Sequence, residues 1–123
     1  MQHRTGQTTF AMRRKGDELP DDEFLEGDEG ENFPRFKLVE IEGFKPPITN
    51  PVAFLNGFSV AFEVSESEPE EGGRPFGHLD VRVAINDVFD DTVTVKVIYG
   101  LRDLSGDWDD EHEAIISFMV LAD

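Results

Sequence analysis

From position 33 onward, apolar and polar residues alternate with a period of two. "HLDVRVAIND" (78–87) sets Leu79, Val81, Val83 and Ile85 on one side and Asp80, Arg82 and Ala84 on the other, the pattern of a half-buried strand. "TVTVKVIYG" (92–100) alternates in the same way, and Asp87 to Asp91 predict the turn between them. "FKLVEIEGF" (36–44) predicts another strand, with Phe36, Leu38 and Ile41 turned inward. The two prolines of "KPPITNP" (45–51) donate nothing to a ladder, so that stretch predicts an edge or a corner. "VAFLNGFSVAFEV" (52–64) is apolar throughout, and Asn56-Gly57 in its middle predicts a bulge or a tight turn.

The closing stretch "AIISFMVLA" (114–122) is apolar on both faces, with Ile115, Met119 and Leu121 on one and Ile116, Phe118 and Val120 on the other. One core covers only one face of a strand. This strand is therefore expected to be central in its sheet, or to meet another subunit with its outer face. No window carries an amphipathic helix. Short strands punctuated by turns predict an all-β antiparallel sandwich.

The N-terminal region divides by charge. Residues 1–15 hold Arg4, Arg13, Arg14 and Lys15 and no acid, whereas 17–31 hold nine acids and no base. A strand is expected around Gln7 to Arg13, where Thr8, Thr9 and Phe10 favour β structure. The acidic run reads as a solvated linker, with Leu19, Phe24 and Leu25 able to pin it to the domain or to a neighbour. The expected organisation is an arm over 1–32, made of a short strand and the acidic linker, followed by a sandwich domain over 33–123.

At 123 residues the length suits one domain, and 38% hydrophobic residues, eleven of them Phe, supply one core. A net charge of −16 argues against nucleic acid and against anionic membranes as partners; it would also suit a high-salt environment. With no cysteine there is no disulfide, thiolate site or thiol nucleophile. "MQHRTGQTTFAMRRKG" has no apolar h-region, and no run approaches a membrane span. The expectation is a soluble protein without membrane insertion, cytoplasmic or carried by a released particle or virion.

The candidate chemistry centres on "SGDWDDEHE" (105–113), where the only tryptophan, Trp108, stands among carboxylates. Asp103, Ser105, Asp107 and Asp109 alternate like early calcium ligands, but the glycine falls at the wrong position for an EF-hand loop. His3, His78 and His112 share no zinc spacing. Neither a metal nor a cofactor is expected. Neighbouring carboxylates serve as acid and base only when one is buried, and no nucleophile, P-loop or dinucleotide motif is present, so no catalytic residues and no enzyme activity are expected. An indole face stacks on the C–H face of a sugar while carboxylates accept hydrogen bonds from hydroxyls, with Arg82 supplying donors. The plain alternative is that Trp108 caps the sandwich and Arg82 pairs with Asp80 or another acid.

From 36 to 122 the order of features resembles the H-type lectin domain, the family of the snail agglutinin and the discoidin C-terminal domain. "FKLVEIEGFKPPI" is similar to that family's first domain strand and its paired prolines, and "HLDVRVAINDV" to the strand holding its arginine. "VTVKVIYGL" matches the strand before the tryptophan loop, and "WDDEHEAIISFMVLA" the closing stretch. "HRTGQTTF" resembles the short strand before the agglutinin domain. The resemblance implies a six-stranded antiparallel β-sandwich, a trimer or hexamer, and glycans bound in clefts between subunits. It implies sugar contacts at Arg82, Trp108 and Asp109, and an N-terminal acidic contact at Asp28 or Glu29. The chain departs from the family at Ala114 and Val120, where aromatics are usual, and in two longer loops. The alternative is a structural or assembly component of a phage, virus or secreted particle, using the same trimeric sandwich without sugar.

Overall fold

The computed structural model describes residues 1–10, 19–26, 34–62, 76–103 and 112–123. These form seven strands and, among the described residues, no helix: β1 (Gln2–Phe10), β2 (Phe24–Leu25), β3 (Arg35–Ile41), β4 (Val52–Phe62), β5 (Phe76–Phe89), β6 (Thr92–Asp103) and β7 (His112–Ala122). They pair into two antiparallel sheets, one ordered β1-β7-β4 and the other β2-β3-β6-β5. The all-β antiparallel expectation holds, with seven strands rather than six. The additional pairing comes from Phe24 and Leu25, within the run read as a solvated linker.

The core lies where the two central strands turn toward each other. Val93, Val95, Val97 and Tyr99 of β6 and Ala114, Ile116, Phe118, Val120 and Ala122 of β7 are each at most 2% exposed and belong to one cluster. The alternation in both sequences fixes which side chains enter it. Leu79, Val81, Val83 and Ile85 of β5 pack against the same cluster, as their spacing predicts. β7 is indeed central, with β1 on one side and β4 on the other, and its other face stays outside the core.

β1 begins at Gln2, well before the expected Gln7, and runs antiparallel to β7 from Gln2↔Ala122 to Phe10↔Ala114. Its polar residues do not prevent this, because an edge strand needs only backbone pairing and an occasional inward anchor. Phe10 is that anchor. At Gly6 the absence of a side chain is required: a Cβ there would lie 2.5 Å from Cζ of Phe118 and 2.8 Å from Cδ1 of Ile41. The chain segment 45–51 is a corner between β3 and β4 and contains a cis bond between Pro46 and Pro47. A two-residue turn at Asp90 and Asp91 joins β5 to β6, with Asp90 at φ 54°, a conformation that aspartate tolerates. In β4 the register with β7 shifts between Leu55 and Gly57, so Asn56 forms the expected bulge.

The phase of β3 is opposite to the sequence expectation. Arg35, Lys37, Val39 and Ile41 pair with the inward residues Tyr99, Val97, Val95 and Val93, whereas Phe36 and Leu38 lie on the outer face and Leu38 is 45% exposed. Only Ile41 points as expected. Two cations thus occupy core-side positions, and the acidic segment before β2 is what accommodates them. Arg35 is fully buried and pairs with the buried Glu23 through Nη1 and Oε1 at 2.5 Å. Its guanidinium lies 5.6 Å from the ring centre of Phe10 and 6.0 Å from that of Tyr99. Lys37 reaches Asp22 at 3.2 Å and also lies over Phe10. The described part of the acidic run is therefore fastened to the sandwich by its carboxylates.

Two substitutions test these contacts by urea denaturation. Glu23→Ala is expected to cost about 3–5 kcal/mol, the usual effect of removing one partner of a buried ion pair. Gly6→Ala is expected to cost about 1–3 kcal/mol by overpacking against Phe118.

Candidate functional site

On β5 the side chains two apart share a face, so Asp80 and Arg82 stand side by side on the outside of the four-stranded sheet. Arg82 donates from Nε to Oδ1 of Asp80 at 2.8 Å and from Nη2 to Oδ2 at 3.0 Å, a bidentate fork. The side chain of Arg82 is 58% exposed and that of Asp80 only 18%, so the carboxylate serves as an anchor beneath an accessible guanidinium. The hydrogen bond to Asp80 is the main reason the arginine pKa is raised; burial opposes it, and the charges of Asp80 and Glu26 add to it. The pair leaves the Nη1 hydrogens available to a ligand.

Register places Arg82 at the end of a cross-strand row. Phe24 of β2 pairs with Phe36 of β3, Phe36 with Ile98 of β6, and Ile98 with Arg82 of β5. The row crosses all four strands, a span of about 14 Å at ordinary strand spacing. Phe24 stacks on Phe36 with ring centres 5.4 Å apart. Ile98 is only 5% exposed although it lies on the outer face, so it forms the floor between Phe36 and Arg82. One register step away, Lys96 lies 4.4 Å from the centre of the Phe36 ring and bonds Oε2 of Glu26 at 2.7 Å. The result is an aromatic and aliphatic strip with a held guanidinium at one end and a paired lysine beside its middle. Such a surface suits a ligand with one flat apolar face and several hydroxyl or carboxylate acceptors.

Of the sequence-derived candidates, the structure describes Arg82, and its pairing with Asp80 is the one the plain alternative expects. Trp108, Asp109, Asp28 and Glu29 lie outside the described residues. The strand ends that bracket their segments, Asp103 with His112 and Glu26 with Pro34, are at the same end of the sandwich, opposite the Asp90 turn. Asp103 is five positions along β6 from Ile98, the partner of Arg82, or about 17 Å. Sequence reasoning missed Phe24, Phe36, Lys96 and Glu26. Their only signal was an aromatic in the acidic run, and a row of this kind becomes visible only with the pairing of strands distant in sequence. Among the described residues no three His, Asp or Glu side chains gather as a metal site, and no helix is long and apolar enough to cross a membrane.

Comparison with known proteins found no matching family model, no matching curated protein and no matching solved structure.

The Asp80–Arg82 fork lies at the surface, where ion pairs contribute about 0–1 kcal/mol. Asp80→Ala is therefore expected to leave the urea midpoint within that range, and a larger shift would assign the pair a structural role.

Proposed function

We propose that the chain is a carbohydrate-binding module of H-type lectin form. The observation that carries this reading is the Arg82 fork, held by Asp80 at the end of the Phe24–Phe36–Ile98 row. Arginine donors pair with vicinal hydroxyl oxygens, while the ring of Phe24, 47% exposed at the other end of the row about 14 Å away, offers an apolar face to a further unit of an extended glycan. A guanidinium already fixed by a carboxylate loses less rotamer freedom on binding, which favours affinity. The order of motifs from 36 to 122 supports the same reading. In it, Trp108 and Asp109, with Asp28 or Glu29, complete the site from a neighbouring subunit of a trimer or hexamer. No reaction step is assigned to it.

The test is a glycan array followed by calorimetry on the best ligand. Arg82→Ala and Trp108→Ala are each expected to weaken binding at least about tenfold, about 1.4 kcal/mol. Asp80→Asn is expected to weaken it less, because the arginine remains but is no longer anchored by charge. An array without ligands, or a ligand indifferent to Arg82 and Trp108, overturns the proposal.

A second reading, a structural component of an assembled particle, is favoured by the outer face of the three-stranded sheet, where Val52, Phe54 and Ile115 are exposed. In that case the array stays blank and the chain is recovered within assembled particles.

A further inference from the structure

The opposite face of the sandwich has a different character. Register aligns the outer side of β1, β7 and β4 in four cross-strand rows, which start on β1 at His3, Thr5, Gln7 and Thr9. The apolar members are Val52, Phe54, Ile115, Met119 and Leu121; the others are Thr, Gln, Ser, Gly and His3. None of these twelve outward positions holds Asp, Glu, Lys or Arg; the first acid on this side is Glu113, opposite Ala61 at the end of the sheet. The chain as a whole is 31% charged, with 27 acids and 11 bases, so twelve positions at that density would hold about four. Val52, Phe54 and Ile115 are exposed there, Phe54 to 49%.

We propose that this face packs against the same face of a second copy of the chain, about a two-fold axis. The choice of partner rests on charge. A body of net charge −16 repels its own copy, so self-association requires a contact surface cleared of carboxylates. A basic partner would instead be attracted by the acids that are missing here. Four rows on three strands cover roughly 400 Å² in projection, and side-chain relief brings the buried area of each partner toward the lower end of the range for specific interfaces, about 600 Å².

The relief of the face is self-complementary. Phe54, with Thr5 and Met119, stands in the second row; the third holds Gln7, Ser117 and Gly57. A depression of about 330 Å³ lies at that third row, lined by Thr5, Gly6, Gln7, Asn56 and Ser117, and a Cβ added at Gly57 would meet nothing within 4 Å. A two-fold axis running along the rows, between the second and the third, sets Phe54 of each copy over Gly57 and Ser117 of the other. Such an isologous contact closes on itself. The inference is independent of the glycan reading, because its readout is mass rather than sugar binding.

Light scattering and sedimentation of the full chain over a dilution series test it. A dimer, or a hexamer containing the same two-fold contact, is expected. Association should tighten with added salt, which screens the repulsion between acidic copies. Gly57→Glu, a position with open space above it, and Phe54→Glu should each weaken association at least about a hundredfold, as expected for a carboxylate set into an apolar, like-charged contact. The circular dichroism spectrum and urea midpoint of Gly57→Glu should remain those of the parent, which separates lost contact from lost fold. A monomer at the highest concentration, a trimer without further pairing, or an oligomer indifferent to both substitutions overturns the proposal.

Discussion

The structure depends on two strands, β6 and β7, whose alternate side chains are all withdrawn from water into one cluster. Every other strand is placed by them: β5 and β3 flank β6, β1 and β4 flank β7, and β2 follows β3. Nine side chains at no more than 2% exposure leave no space for rearrangement, since interiors are packed to crystal density. The period of two then dictates that the intervening residues face outward on both sheets. Both candidate surfaces, the Arg82 row and the uncharged face, are therefore consequences of the same core.

The second organising feature is the placement of opposite charges. The acidic run supplies counter-ions to cations that would otherwise sit badly, with Glu23 on Arg35, Asp22 on Lys37 and Glu26 on Lys96. Two of these cations lie at inward positions of β3, with Phe10 and Tyr99 presenting ring faces to the guanidinium. Buried ion pairs are seldom a large net source of stability. What they do here is fix register, because a slip of β3 by one residue would put Phe36 and Leu38 in the core and leave Glu23 without its guanidinium.

That same feature marks where the sequence was legible and where it was not. β5 and β6 were legible because their inward residues are apolar and their outward ones mostly are not, and β7 because a strand apolar on both faces belongs at the centre of its sheet. β3 was read in the wrong phase because a binary rule places Arg35 and Lys37 outside, and the aromatic rings that receive them belong to strands far away in the chain. Glu23 looked like one more solvated acid for the same reason. Arg82 stood out as the single cation of an otherwise apolar and acidic strand. Phe24 and Phe36 did not, because their alignment with it depends on the pairing of three other strands.

The bulge at Asn56 carries a consequence of its own. Phe54 and Phe58 are four residues apart, and in an unbroken strand they would share a side. The extra residue sets Phe54 opposite Met119, on the outside, and Phe58 opposite Ile116, on the face turned toward the other sheet, where its ring stays half exposed. A single inserted position thus lets one short segment supply grease to two separate surfaces. The length of this strand acts as a switch of allegiance: removing one residue would move the second phenylalanine from the face turned toward the other sheet to the outer one, with no change in composition anywhere else.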